Sequence, residues 1–176
     1  MLPQDESPHI RVGYDPREVA NFILDEASRL QKPITNLVLN KLIYFCHGWH
    51  LALLGTPLQR ETFEAWQYGP VLRSVYSEFR ESRTHPVQHK AKTLDLSTGQ
   101  MVDIEPKIDI ETATFLREIL KSYIFLTPWQ LVEITHVPNG PWDLALRRNS
   151  DSKRGARLNN SDIASFFATY RGKERQ

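Results

Sequence analysis

Apolar side chains recur at three- and four-residue spacing through most of the chain, and alternate with polar ones in one short stretch. That pattern predicts a mainly α fold carrying a small β-hairpin insertion. The first helix is well marked. Asp15 can cap it, Pro16 suits the first helical position, and Glu18 follows three residues after the cap. Val19, Phe22, Ile23, Ala27 and Leu30 then share a face, and Lys32-Pro33 ends the run. A second helix is expected from its cap at Thr35 to Leu54, stopped by Gly55 and Pro57. From Leu37 to Leu54 it is apolar around nearly its whole circumference, including Leu42, Tyr44, Phe45 and Trp49. A helix of that kind belongs at the centre of a domain.

Thr62 to Trp66 reads as a short extended piece, followed by a turn at Tyr68-Gly69-Pro70 and a third helix from Val71 to Arg80. Residues 93–104 alternate around Ser97-Thr98-Gly99, which is the hairpin. Asp109 caps a fourth helix and Thr127-Pro128 opens a fifth, closed by Pro138-Asn139-Gly140-Pro141. Trp142 to Arg148 is a short helical turn, 149–159 a polar, basic loop, and Ser161 the cap of a last helix. The expected organisation is a flexible arm over 1–14, one helical domain over 15–170, and a charged tail over 171–176.

Length and charge narrow the function. The 176 residues suit one domain with a real core, and 40% hydrophobic against 24% charged residues is ordinary globular composition. With 22 basic and 21 acidic side chains the net charge is +1, so no global field draws the chain to nucleic acid or anionic membrane. The N-terminus lacks a signal-peptide pattern. The longest apolar run, 34–54, is interrupted by Asn36, Asn40, Lys41, His47 and His50, so no membrane span is expected. A cytoplasmic location follows as the expectation. Cys46 is the single cysteine, which excludes an intramolecular disulfide.

Candidate chemistry is sparse. His47 and His50 lie three apart on the second helix and His136 is the third histidine on an ordered helix, but a metal site needs three or four converging ligands. Cys46 beside His47 points about 100° away from it on a helix and sits among apolar neighbours. No phosphate loop, serine elbow or paired-cysteine motif occurs. No catalytic residue, metal or cofactor is assigned, and the chain is not read as an enzyme. Arg147, Arg148, Lys153, Arg154 and Arg157 form a basic cluster, and the first two helices have a helix-turn-helix outline. A recognition helix must expose polar side chains to base edges, whereas the second helix is the most apolar in the chain. Nucleic-acid binding is therefore the weaker reading.

The motifs in order carry a family resemblance. Asn40-Lys41-Leu42-Ile43-Tyr44-Phe45-Cys46-His47-Gly48-Trp49, Gly55-Thr56-Pro57-Leu58, Glu64-Ala65-Trp66-Gln67-Tyr68-Gly69-Pro70-Val71 with Tyr76, and Thr135-His136 followed by Gly140-Pro141-Trp142 resemble the Panacea domain. That family groups SocA-like antitoxins with phage-associated proteins. The resemblance implies an antitoxin of a type II toxin–antitoxin system, with a role in phage defence. It implies a cognate toxin encoded by the adjacent gene, among which small alarmone-synthetase-like enzymes occur, neutralised by direct contact. In the SocA branch it implies instead an adaptor presenting the toxin to an ATP-dependent protease. A homo-oligomer stays open.

The expected toxin-binding residues are Trp66, Gln67, Tyr68, Arg73, Tyr76, Arg80 and His136. Lys41, Tyr44, Trp49, Gly69, Pro70, Pro141 and Trp142 are expected to shape the fold.

Overall fold

The structure, a computed structural model, describes residues 13–149 and 155–173, with side chains through Tyr170. Its elements run α1 (Pro16–Arg29), α2 (Asn36–Leu54), β1 (Glu64–Trp66), β2 (Gly69–Val71), α3 (Arg73–Phe79), a 3-10 turn (Arg80–Ser82), β3 (Lys92–Asp95), β4 (Gln100–Asp103), α4 (Ile110–Tyr123), α5 (Pro128–Thr135), α6 (Pro141–Arg148) and α7 (Asn160–Lys173). The fold is mainly α, as the periodicity predicts.

Local signals set the helix ends. The Asp15 carboxylate accepts from Arg17 N, Thr35 Oγ1 from Val38 N, and Asp109 from Thr112 N. Thr127 and Gln130 form a full capping box at α5. Gly55 ends α2 in the left-handed conformation, with its N–H on Leu51 O. α7 departs from the expected cap: it begins at Asn160, so Ser161 lies inside it.

α2 runs through the middle, with α1, α4, α5 and α7 around it. By length and composition its 19 residues would pass for a membrane span, which the polar interruptions had argued against. In the fold 78% of its most apolar window is buried by the other elements. Phe45 stacks on Tyr123 (centroids 4.2 Å), and Trp49 Nε1 donates to Tyr123 Oη at 2.8 Å. Tyr44, wholly buried, sets its ring edge-on to Phe45, Phe63 and Phe167. α7 comes close because position 48 is glycine: a Cβ there would lie 2.2 Å from the Phe167 ring.

Tyr14, on the arm side of the expected boundary, is core. Its N–H and C=O bridge to Leu58 and Arg60, and its hydroxyl bonds the Asp109 carboxylate at the start of α4. The rest of the expected arm, residues 1–12, lies outside the described residues. At the other end, α7 crosses the boundary expected at 170/171.

The described residues hold two hairpins rather than one. The expected one, β3–β4, pairs Lys92 with Asp103 through Asp95 with Gln100. Its base is pinned by the buried Asn21 amide, which donates to Ala91 O and Ile104 O and accepts from Ala91 N. The second, β1–β2, pairs Glu64 with Val71 and Trp66 with Gly69 around Gln67-Tyr68. Val71 is therefore strand, and α3 begins at Arg73, not Val71. The stretch 156–158, expected as loop, runs beside β1: Ala65 N donates to Ala156 O and Leu158 N to Phe63 O.

Candidate partner-binding face

The β1–β2 hairpin stands against α2, and side chains from three other elements hold its backbone. Lys41, on α2 and fully buried, donates from Nζ to Pro70 O at 2.7 Å. Trp142 Nε1, on α6, donates to Trp66 O at 2.8 Å. The His136 ring, tilted 46° against Trp142 with centroids 4.0 Å apart, sets Nε2 3.1 Å from Gln67 O and Nδ1 2.7 Å from Val132 O. Burial pushes the Lys41 ammonium down to about 7, since a charge loses its hydration there. Gly69 is required at the turn. Its φ is +102°, and a Cβ would meet Thr135 Oγ1 at 2.5 Å and Lys41 Cε at 2.9 Å.

α3 has no side-chain cap of its own and borrows two. Asn40 Oδ1, from α2, accepts from Leu72 N at 2.9 Å, and the Glu61 carboxylate accepts from Ser74 N at 3.1 Å. Asn40 Nδ2 donates to Asn36 Oδ1, and Asn36 Nδ2 to Tyr76 O. These two amides on the apolar central helix are thus spent on anchoring α3.

Glu64 orients the exposed edge of the hairpin. Only 8% exposed, it accepts from Trp66 Nε1 at 2.8 Å and from Arg73 Nε and Nη2. Burial pulls its pKa upward, but the Arg73 and Trp66 hydrogen bonds outweigh that and leave it below the ordinary carboxylate value. The Trp66 ring lies edge-on to Tyr76 (4.6 Å), with the Arg73 guanidinium 5.8 Å from its centroid.

A groove of about 530 Å³ follows between the hairpin, α2 and α3. Leu37, Val71, Trp66, Tyr68 and Tyr76 give it apolar lining, and Arg80, Arg83 and Thr84 line it as well. Five of the expected contact residues, Trp66, Gln67, Tyr68, Tyr76 and Arg80, line it together. Arg73 instead acts on Trp66 and Glu64, and His136 lies behind the hairpin as a support. Leu37, Asn36, Asn40, Arg83 and Thr84 were not anticipated. The paired asparagines at i and i+4 were the available signal, because amides in so apolar a helix must find buried partners.

Residues 39–143 match the family described as Antitoxin SocA-like, Panacea domain. The chain belongs to this family. Antitoxin SocA of Caulobacter vibrioides (strain NA1000 / CB15N) is 37% identical over 144 residues, which span 82% of this chain and 75% of the relative. No solved structure matches. The match ends one residue after Trp142 and so takes in every element that grips the hairpin: α2 from Leu39, β1–β2, α3, His136 and Trp142. The ordered motifs of this SocA-like chain thus converge on one structural unit.

Other candidate chemistry in the SocA-like fold stays dispersed. His47 is buried with Nε2 3.0 Å from Asn160 Oδ1, while its Nδ1 has no partner among the described residues; His50 Nδ1 lies 2.6 Å from Thr56 O. Burial pushes His47 down to about 4 against the Asn160 bond. His136 is committed to the hairpin, and no group of three or more metal-ligating side chains converges among the described residues. Cys46 is fully buried, which raises its pKa. Of the basic cluster, Arg147 meets Asp143 and Arg148 meets Asp162; Lys153 and Arg154 lie outside the described residues. α2, the second helix of the suspected DNA-binding pair, is interior.

Proposed function

We propose that this chain is the antitoxin of a type II toxin–antitoxin pair, acting in the cytoplasm by binding its cognate protein toxin directly. Membership of the SocA-like family supports the antitoxin role. The contact face is the hairpin groove, with Trp66, Gln67, Tyr68, Tyr76 and Arg80 as the residues that meet the toxin. The observation carrying this placement is that three aromatic rings stand at one groove whose backbone is braced by Lys41, His136 and Trp142. Aromatic side chains on a rigid support suit interface anchors, because little conformational entropy is lost on binding. The toxin is encoded beside this gene and is of the small alarmone-synthetase-like kind, and phage defence is the setting in which the pair acts.

Co-expression with the adjacent gene's product tests the reading. Growth rescue and a complex that survives gel filtration are expected, both lost on replacing Gln67 and Tyr68 by alanine in a chain that still melts cooperatively. Toxicity that persists with wild-type chain, and no complex, would sink the reading. A fall in toxin abundance that needs an ATP-dependent protease would assign the adaptor route instead.

A further inference from the structure

The two arginines that line the groove give the chemistry of what enters it. Most arginines with described side chains are engaged by carboxylates of the fold: Arg17 and Arg60 share Asp15, Arg29 and Arg117 share Glu26, Arg73 takes Glu64, Arg147 takes Asp143 and Arg148 takes Asp162. Arg80 and Arg83, both exposed at the groove, meet no carboxylate among the described residues. Arg83 also has φ +50° and ψ −116°, a backbone conformation that L side chains rarely adopt. Folding alone would favour glycine there. Strain retained at an unpaired cation on the rim of an aromatic groove points to a partner's charge.

We infer that the groove holds an acidic segment of the toxin. One aromatic or branched aliphatic side chain of that segment seats against Leu37, Val71, Trp66 and Tyr76, and a flanking Asp or Glu lies on Arg80 and Arg83. The inference rests on the antitoxin reading above and adds the partner's chemistry to it. A peptide fits better than a nucleotide. The Asn36 and Asn40 amides, the groups suited to reading a base edge, already bond each other, Tyr76 O and Leu72 N. The remaining floor, Leu37 and Val71, is aliphatic.

The test measures affinity of the full chain for the purified product of the adjacent gene, at low and high salt. Arg80→Glu and Arg83→Glu are expected to weaken binding by about tenfold or more, and to remove much of its salt dependence. Arg83→Gly should weaken binding as well while its melting temperature holds or rises, because strain is relieved. That combination separates a binding role from a folding one. Leu96→Ser, at the exposed tip of β3–β4, should bind as wild type.

If the wild-type complex forms and all three arginine variants bind within about twofold of it, acidic recognition is overturned while the antitoxin reading stands. If wild-type chain neither rescues growth nor binds, the antitoxin reading fails first. A labelled single-stranded RNA held by the wild type and released by Arg80→Glu, with toxin binding unaffected, would assign the groove to nucleic acid and overturn the inference.

Discussion

Replacing Lys41 by methionine keeps the length of a wholly buried side chain and removes its titratable nitrogen. In the unfolded chain this lysine titrates near its ordinary value of 10.5, whereas in the fold burial brings it to about 7. Between those values the unfolded state holds a proton the folded state does not, so stability rises with pH across that window. It is lowest for this group at and below pH 7. One unit of separation corresponds to about 1.4 kcal/mol, and integrating from pH 7 to 8.5 gives a gain of about 1.6 kcal/mol.

That window is chosen because Cys46 has the opposite sign. Its thiol is raised by burial above the ordinary value of 9.0, so above that value the unfolded state sheds a proton first and stability falls. Urea unfolding at a series of pH values from 7 to 8.5 measures the slope in both proteins. Lys41→Met should flatten it, whatever its absolute stability. The substitution also deprives Pro70 O of its donor, which costs about 1–3 kcal/mol against the relief of burying no ammonium. Equal slopes in wild type and variant would refute the account of Lys41 as a buried, reluctant cation.

Gly69→Ala forces a side chain into φ +102° and onto Thr135 and Lys41, and should destabilise by roughly 2–5 kcal/mol, read as a lowered urea midpoint. Gly48→Ala drives a methyl into the Phe167 ring and should cost about 1–3 kcal/mol; an unchanged midpoint would mean that α7 moves away freely. His47 titrates near 6.5 unfolded and about 4 folded, so stability should fall by about 1.6 kcal/mol from pH 6.5 to 5 as the unfolded chain takes up the proton. His47→Leu should lose that fall, which unfolding titrations above the carboxylate range can measure.

Where the sequence was legible, the information was local. Asp15-Pro16, Asp109 and Thr127-Pro128 carry their helix starts in three or four consecutive residues, and the helices begin there. Gly55 ends α2 for the same kind of reason. Val71 misled because its apolar periodicity suits a helix, while its pairing with Glu64 depends on the turn between them. Ser161 looked like a cap, yet α7 starts a residue earlier. Tyr14 read as arm because its partners, Leu58 and Asp109, are distant in sequence. At the groove, Trp66, Tyr68 and Tyr76 stood out as aromatics. Arg83 did not, since an unpaired cation is visible only once every other charge has a place.

The contact between α7 and α2 bears on how such a protein is turned over. The aromatic side of the central helix, Tyr44, Phe45 and Trp49, is closed by Phe167 on the last helix of the described chain. The close approach at Gly48 makes that closure a fit of two surfaces, with the His47–Asn160 contact beside it. Undocking of this one helix would uncover the faces of those three rings that Phe167 covers. Detachment would expose apolar surface that proteases can engage while the rest of the domain stays folded. How long the protein survives in a cell would then follow the stability of one helix rather than that of the whole fold.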